Sequence, residues 1–99
     1  MTIEEVRAEI TQLDEEIIHL IAQRQGLARK IATLKQTEGI PVHDSQRKTD
    51  VLDYVMKLAQ ANHIDPVPVK AIFETLISMN EKEQRVTMNK SVPSRKLVR

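Results

Sequence analysis

From Val6 to Leu34 the apolar residues recur at alternating intervals of four and three: Val6, Ile10, Leu13, Ile17, Leu20, then Leu27, Ile31 and Leu34, with Arg24 on the step between Leu20 and Leu27. This is a heptad seam sustained for about four heptads. It predicts one helix over roughly Thr2 to Thr37, about 54 Å long at about 1.5 Å per residue. The chain has 99 residues, enough for one small domain, and what remains beyond such a helix is too little to cover it. Two shorter helices are expected to coat part of the rod and a second copy of the chain the remainder. The seam also poses a chemical question. A guanidinium keeps its charge at any ordinary pH, yet Arg24 stands where a leucine or isoleucine is expected.

Glycine and proline divide the rest of the chain. Gly39 and Pro41 mark one joint, Pro66 and Pro68 the other. Between and after them the spacing predicts two further helices and no convincing strand, hence an all-α chain of three helices. The second begins near Asp44, a good N-cap residue. Arg47, Val51, Val55 and Leu58 then share one face, with Leu52 and Met56 beside it. The third opens near Asp65 and Pro66. Phe73, Ile77, Asn80 and Gln84 step by four, three and four, so its inward stripe is apolar at first and polar from Asn80 onward.

Composition narrows the classes of function. There is no cysteine, so disulfides, thiolate metal sites and thiol nucleophiles are excluded. One Tyr, one Phe and no Trp leave little for stacking on bases. No run approaches the roughly 18 apolar residues that span a bilayer, and the opening MTIEEVRAEI does not read as a secretory signal, so the expected setting is cytoplasmic. The net charge of +1 hides an asymmetry. Arg85 to Arg99 carries five basic residues and no acid, against a body of net −4. Residues 1–86 are read as the helical domain and 87–99 as a basic, flexible tail. Such a tail could touch nucleic acid, but an acidic body argues against a large footprint there.

Each helix places a polar group where its pattern asks for an apolar one. Arg24 interrupts the first seam. Lys35, 11 residues on, lies about 20° from Arg24 in projection. Arg47 heads the inner stripe of the second helix; Asn80 and Gln84 continue that of the third. Converging seams would enclose a pocket lined by three cations and two amides, with no matching acid on the same stripes. Cations buried without counter-charge are strongly unfavourable, so the missing charge is expected from a ligand: a small anion with more than one carboxylate, held by Arg forks. Taken singly, each position has a plainer reading. An Arg in a heptad seam sets register or lies at a wet edge, Lys35 complements a helix C-terminus, and Arg47 and Gln84 sit where side chains commonly face solvent.

Arg7 lies 17 residues before Arg24, about 25 Å along the same helix. It reaches that pocket only from another chain. His19, His43 and His63 fall on three different elements without ligand spacing, so no metal is expected, and His43 reads as loop and cap. There is no Gly-rich phosphate loop and no serine nucleophile motif.

The segments "VRAEITQLDEEIIHLIAQRQGLARKIATLK", "GIPVHDSQR" and "IFETLISMNEKEQ" together resemble the all-helical chorismate mutases, over roughly Val6 to Arg85. "LDEEIIHLIAQR" followed by "IPVHDSQR" at this spacing is the more specific part. The resemblance implies three helices per chain, an intertwined homodimer with two equivalent sites, no cofactor, and an isomerase of the shikimate pathway toward aromatic amino acids. It implies that Arg7, donated across the dimer, binds the substrate carboxylates together with Arg24 and Arg47. Lys35 and Gln84 would hydrogen-bond the breaking ether oxygen, and Asp44 and Asn80 would complete the ring-side contacts. One position departs. The family usually has a glutamate after the arginine that matches Arg47, contacting the substrate hydroxyl; here it is Lys48. The hydroxyl is then held by backbone or water, or Lys48 turns outward, or mutase activity is weakened or the substrate shifted. The related isochorismate-pyruvate lyases share the fold and vary at that position, and a non-catalytic helical dimerisation module is the other alternative.

The implied reaction, chorismate to prephenate, is a concerted pericyclic rearrangement. It needs neither a proton shuttle nor a covalent intermediate, which agrees with the lack of cysteine, triad and metal cluster in the sequence.

Overall fold

The computed structural model describes residues 1–91. Three helices follow in order: α1 (Ile3–Glu38), α2 (Ser45–Ala61) and α3 (Pro66–Ser91). Among the described residues there is no strand. α3 continues past residue 86 to Ser91; the rest of the basic tail, residues 92–99, lies outside the described residues.

The boundaries follow local chemistry. Thr2 and Glu5 form a reciprocal capping box: the Glu5 N–H donates to Thr2 Oγ1 at 3.1 Å, and the Thr2 N–H to Glu5 Oε1 at 2.9 Å. At the other end Gly39 adopts φ 71°, a left-handed conformation that a Cβ would strain. The chain then turns, with the Ile40 N–H donating to the Lys35 carbonyl at 2.8 Å. Asp44 caps α2, its Oδ1 accepting from the Arg47 N–H at 2.9 Å. Asp65 Oδ1 accepts from the Val67 N–H at 3.0 Å, and Pro66 takes the first position of α3, where its missing N–H is no loss.

α3 is the central element. It packs against both α1 and α2, which do not pack on each other. The result is long and thin, 65 × 30 × 16 Å, with a radius of gyration of 17.9 Å against about 13 Å for a compact chain of this size. The core is correspondingly slight. Ala28, Ala32, Leu52, Val55 and Ala59 are its buried apolar residues, and among the described residues no large side chain is fully enclosed.

Two expectations are corrected here. The inner stripes of the other helices were expected to converge on the heptad seam of α1, the face that carries Arg24. α3 packs instead on the neighbouring row, Ile21, Gln25, Ala28, Ala32 and Lys35, all half-buried or buried. The alanines allow the helix axes to approach closely, as small residues do at a contact. The apolar residues of the seam remain between 42% (Val6) and 61% (Leu34) exposed. In α2, Leu58 was placed inward but is 48% exposed, while Ala59 beside it is buried. Again the smaller residue faces the neighbouring helix.

Candidate active site

Near the C-terminal end of α1 the three helices and the α1–α2 turn surround an open cavity of about 370 Å³, within the range of small-molecule sites. Arg24 and Lys35 reach it from α1, Asp44, Arg47 and Lys48 from the start of α2, and Asn80 and Gln84 from α3. Of the eight residues singled out from the sequence, seven line this one cavity. Arg7 does not. It is exposed on the opposite half of α1.

Arg24 is held from two sides. Its Nη2 donates to Asn80 Oδ1 at 2.8 Å, and its guanidinium carbon lies 5.9 Å from the centroid of the Phe73 ring, inside the range of a cation–π contact. Asn80 Nδ2 in turn donates to Gln25 Oε1. The Arg–Asn–Gln chain fixes the guanidinium while satisfying one edge of it. Nε of Arg24 is buried and has no hydrogen-bond partner among the described residues.

Lys35 Nζ donates to the Val42 carbonyl at 2.7 Å, so the turn that ends α1 also aims its last cation into the cavity. Among the described residues Gln84 is the buried polar one, 7% exposed, and its Oε1 has no partner there. Unpartnered buried polar atoms are uncommon and need a reason. Here both of them, on Arg24 and Gln84, belong to residues lining one cavity. Arg47 is exposed, at the solvent side of the site. Lys48 is half-buried and faces the cavity rather than turning away.

The stripes themselves carry no acid, but the cavity they form does. Glu81, one residue after Asn80, lines the cavity, as does Asp44. Glu81 Oε2 is 3.0 Å from Nδ1 of His43, whose Nε2 is 3.1 Å from Ser45 Oγ. His43 therefore does more than form a loop: it ties α2's entrance to α3. Glu81 was missed because only apolar stripes were followed. Its spacing of three from Gln84 puts both on one helical face. Four cationic side chains against two carboxylates still leave the cavity with an excess of two positive charges. Among the described residues no cluster of His, Asp or Glu has the arrangement to hold a metal, and no helix is long and apolar enough to cross a membrane.

Three helices around a cationic cavity define a class that sequence comparison makes specific: the chain belongs to the type II chorismate mutase family, whose model matches residues 6–85. Among proteins of known activity it is similar to the chorismate mutase of Methanocaldococcus jannaschii, 35% identical over 81 residues and covering 82% of each chain. It is also similar to the bifunctional chorismate mutase/prephenate dehydratases of Escherichia coli K12, 32% identical over 72 residues, and of Aquifex aeolicus, 29% identical over 70 residues. Of these bifunctional proteins it spans 19% of the length.

Proposed function

We propose that this protein is a chorismate mutase, converting chorismate to prephenate at the cavity between its three helices, with residues 1–86 as the catalytic unit. The observation that carries the reading is the net positive cavity in which Arg24 and Gln84 each retain a buried, unpartnered polar atom. Chorismate brings two carboxylates and an ether oxygen, acceptors for the Arg24 N–H; the Gln84 amide, whose unpartnered atom is the acceptor Oε1, meets the ether oxygen through its N–H.

The reaction breaks the ether C–O bond while a C–C bond forms, with six electrons moving around one ring of atoms. The protein's first task is to hold the enolpyruvyl arm over the carbocycle in a near-attack geometry. Arg24 and Arg47 clamp the carboxylates that define that fold. Its second task is electrostatic. Negative charge grows on the ether oxygen as its bond stretches, and the Lys35 ammonium and the Gln84 amide N–H stabilise that charge more than the ground state. The Val42 carbonyl fixes Lys35 beforehand, so little reorganisation accompanies the step. Asp44 sets the start of α2 and with it Arg47; Asn80 orients Arg24. As an amide, Gln84 donates at every pH.

The working form is an intertwined homodimer. The exposed seam is a contiguous apolar stripe of the kind that marks an interface, and a chain with so small a core gains most of its burial from a partner. In an antiparallel arrangement of two α1 helices the N-terminal half of one lies beside the C-terminal half of the other, and Arg7 enters the partner's cavity as a third carboxylate ligand. A sequence without cysteine fits a cytoplasmic setting.

The test is incubation with chorismate and, separately, with isochorismate, following prephenate and pyruvate. Prephenate from chorismate is the expected product. Pyruvate from isochorismate, with no prephenate from chorismate, would reassign the site to the lyase chemistry that Lys48 leaves open.

A further inference from the structure

A site for a dianion has a clear use for cations and no evident use for Glu81. A carboxylate facing that ligand repels it unless it meets a hydrogen-bond donor. The other acceptors around the cavity are largely committed. Asn80 Oδ1 takes Arg24, Asp44 Oδ1 takes the Arg47 N–H and the Val42 carbonyl takes Lys35. Gln84 Oε1 is unpartnered as well, but it is a neutral oxygen on the amide whose N–H serves the ether oxygen. Glu81 differs: its Oε2 is engaged by His43 at 3.0 Å, but its Oε1 has only Arg85 Nη2 at 3.9 Å, beyond hydrogen-bond reach. Across the cavity, the side chain of half-buried Lys48 makes no hydrogen bond or ion pair among the described residues.

A donor and an acceptor on different helices, both uncommitted, match one kind of ligand group. A hydroxyl donates one hydrogen bond and accepts others. Chorismate as the dianion has one hydrogen-bond donor, its ring hydroxyl; its carboxylates and ether oxygen only accept. We propose that Glu81 and Lys48 form the subsite for that hydroxyl, Glu81 accepting its proton and Lys48 donating to its oxygen, and that this pair sets the preference for hydroxyl-bearing over hydroxyl-free substrates. His43 is a positioning residue, holding the Glu81 carboxylate toward the cavity from the α1–α2 turn. The inference rests on the mutase reading and adds to it a discriminating group on α3.

The experiment compares kcat/KM for chorismate and for its analogue lacking the ring hydroxyl, in the unmodified protein and in Glu81→Ala, Glu81→Gln and His43→Ala. The unmodified protein is expected to prefer chorismate by at least about tenfold, the usual effect of leaving buried polar groups unpaired. Glu81→Ala is expected to lower kcat/KM for chorismate by about ten- to a hundredfold, since a charge-assisted bond is lost, while the analogue's value holds or rises because a repulsive carboxylate is gone. Glu81→Gln, nearly isosteric and still an acceptor, recovers part of the loss and carries the test if the alanine variant loses helical content. His43→Ala shows a smaller loss of the same selective kind. Equal losses on both substrates, or no preference in the unmodified protein, overturn the hydroxyl subsite while the mutase reading stands. No turnover of chorismate by the unmodified protein removes that reading and the inference with it.

Discussion

The two halves of α1 carry one heptad seam and meet different surroundings. Through residue 20 every position is exposed. From Ile21 onward the row Ile21, Gln25, Ala28, Ala32, Lys35 is covered by α3 and the cavity. Followed backward at the same spacing, that row reads Ile18, Asp14, Thr11, Arg7, largely polar and bulkier than alanine. It offers α3 no close approach, so α3 packs on the C-terminal half alone. The comparison separates two uses of one helix. The alanine row packs within the chain, while the leucine-rich seam, its apolar residues exposed in both halves, is the surface proposed above for a second chain. Arg7 and Lys35 lie on the same row, four heptads apart, which is the arrangement an antiparallel pair needs if one end of the row is to complete the other's site.

Breaking the seam should have the largest effect. Leu13→Asp with Ile17→Asp places charge in the proposed interface, where an unpaired buried charge is strongly unfavourable. Sedimentation should show loss of the dimer, circular dichroism reduced helix, and turnover should disappear. Next come the cations of the packed half. Lys35→Ala and Arg24→Ala are each expected to lower kcat by at least about a hundredfold, by comparison with oxyanion-hole donors, with helical content unchanged. Arg24→Leu sharpens the distinction: a plain coiled coil tolerates or gains from an apolar residue in its seam, whereas a dianion site loses its ligand. Arg7→Ala tests the exposed half. It should cut kcat/KM by about ten- to a hundredfold through one lost charge-assisted contact, with no change in oligomeric state.

The smallest effect lies at the N-terminus. Hydrogen bonds from the Thr2 backbone N–H and then its hydroxyl hold the Glu5 carboxyl below its ordinary value. The ionised form therefore supports the cap above the ordinary carboxylate pKa, and that support is lost as pH falls through the lowered one. Amide exchange over the first turn should quicken on acidification, and Glu5→Gln, which has no carboxyl to titrate, should remove this dependence.

The three helices were legible because their ends are chemically marked. Gly39, Asp44 and Pro66 fall within a residue of the boundaries read from sequence. The gathering of Arg24, Lys35, Arg47, Asn80 and Gln84 was legible because each interrupts an apolar stripe and the stripes converge. Which row of α1 takes α3 was not. Hydrophobic periodicity weighs Leu27 and Leu34 above Ala28 and Ala32, and close packing inverts that order. Glu81 was hidden for the same reason: it sits beside the apolar stripe rather than on it. The hold of Val42 on Lys35 depends on the path of a turn, which no periodicity encodes.

The central claim is that each site is assembled from two chains around a dianion. Mixing the Arg7→Ala and Arg24→Ala proteins after unfolding, and refolding them together, tests it most directly. Each variant alone is crippled at every site. A mixed dimer has one site with both arginines and one with neither, so random pairing should restore about a quarter of the unmodified turnover. Activity no higher than the mean of the two separate variants would contradict the account.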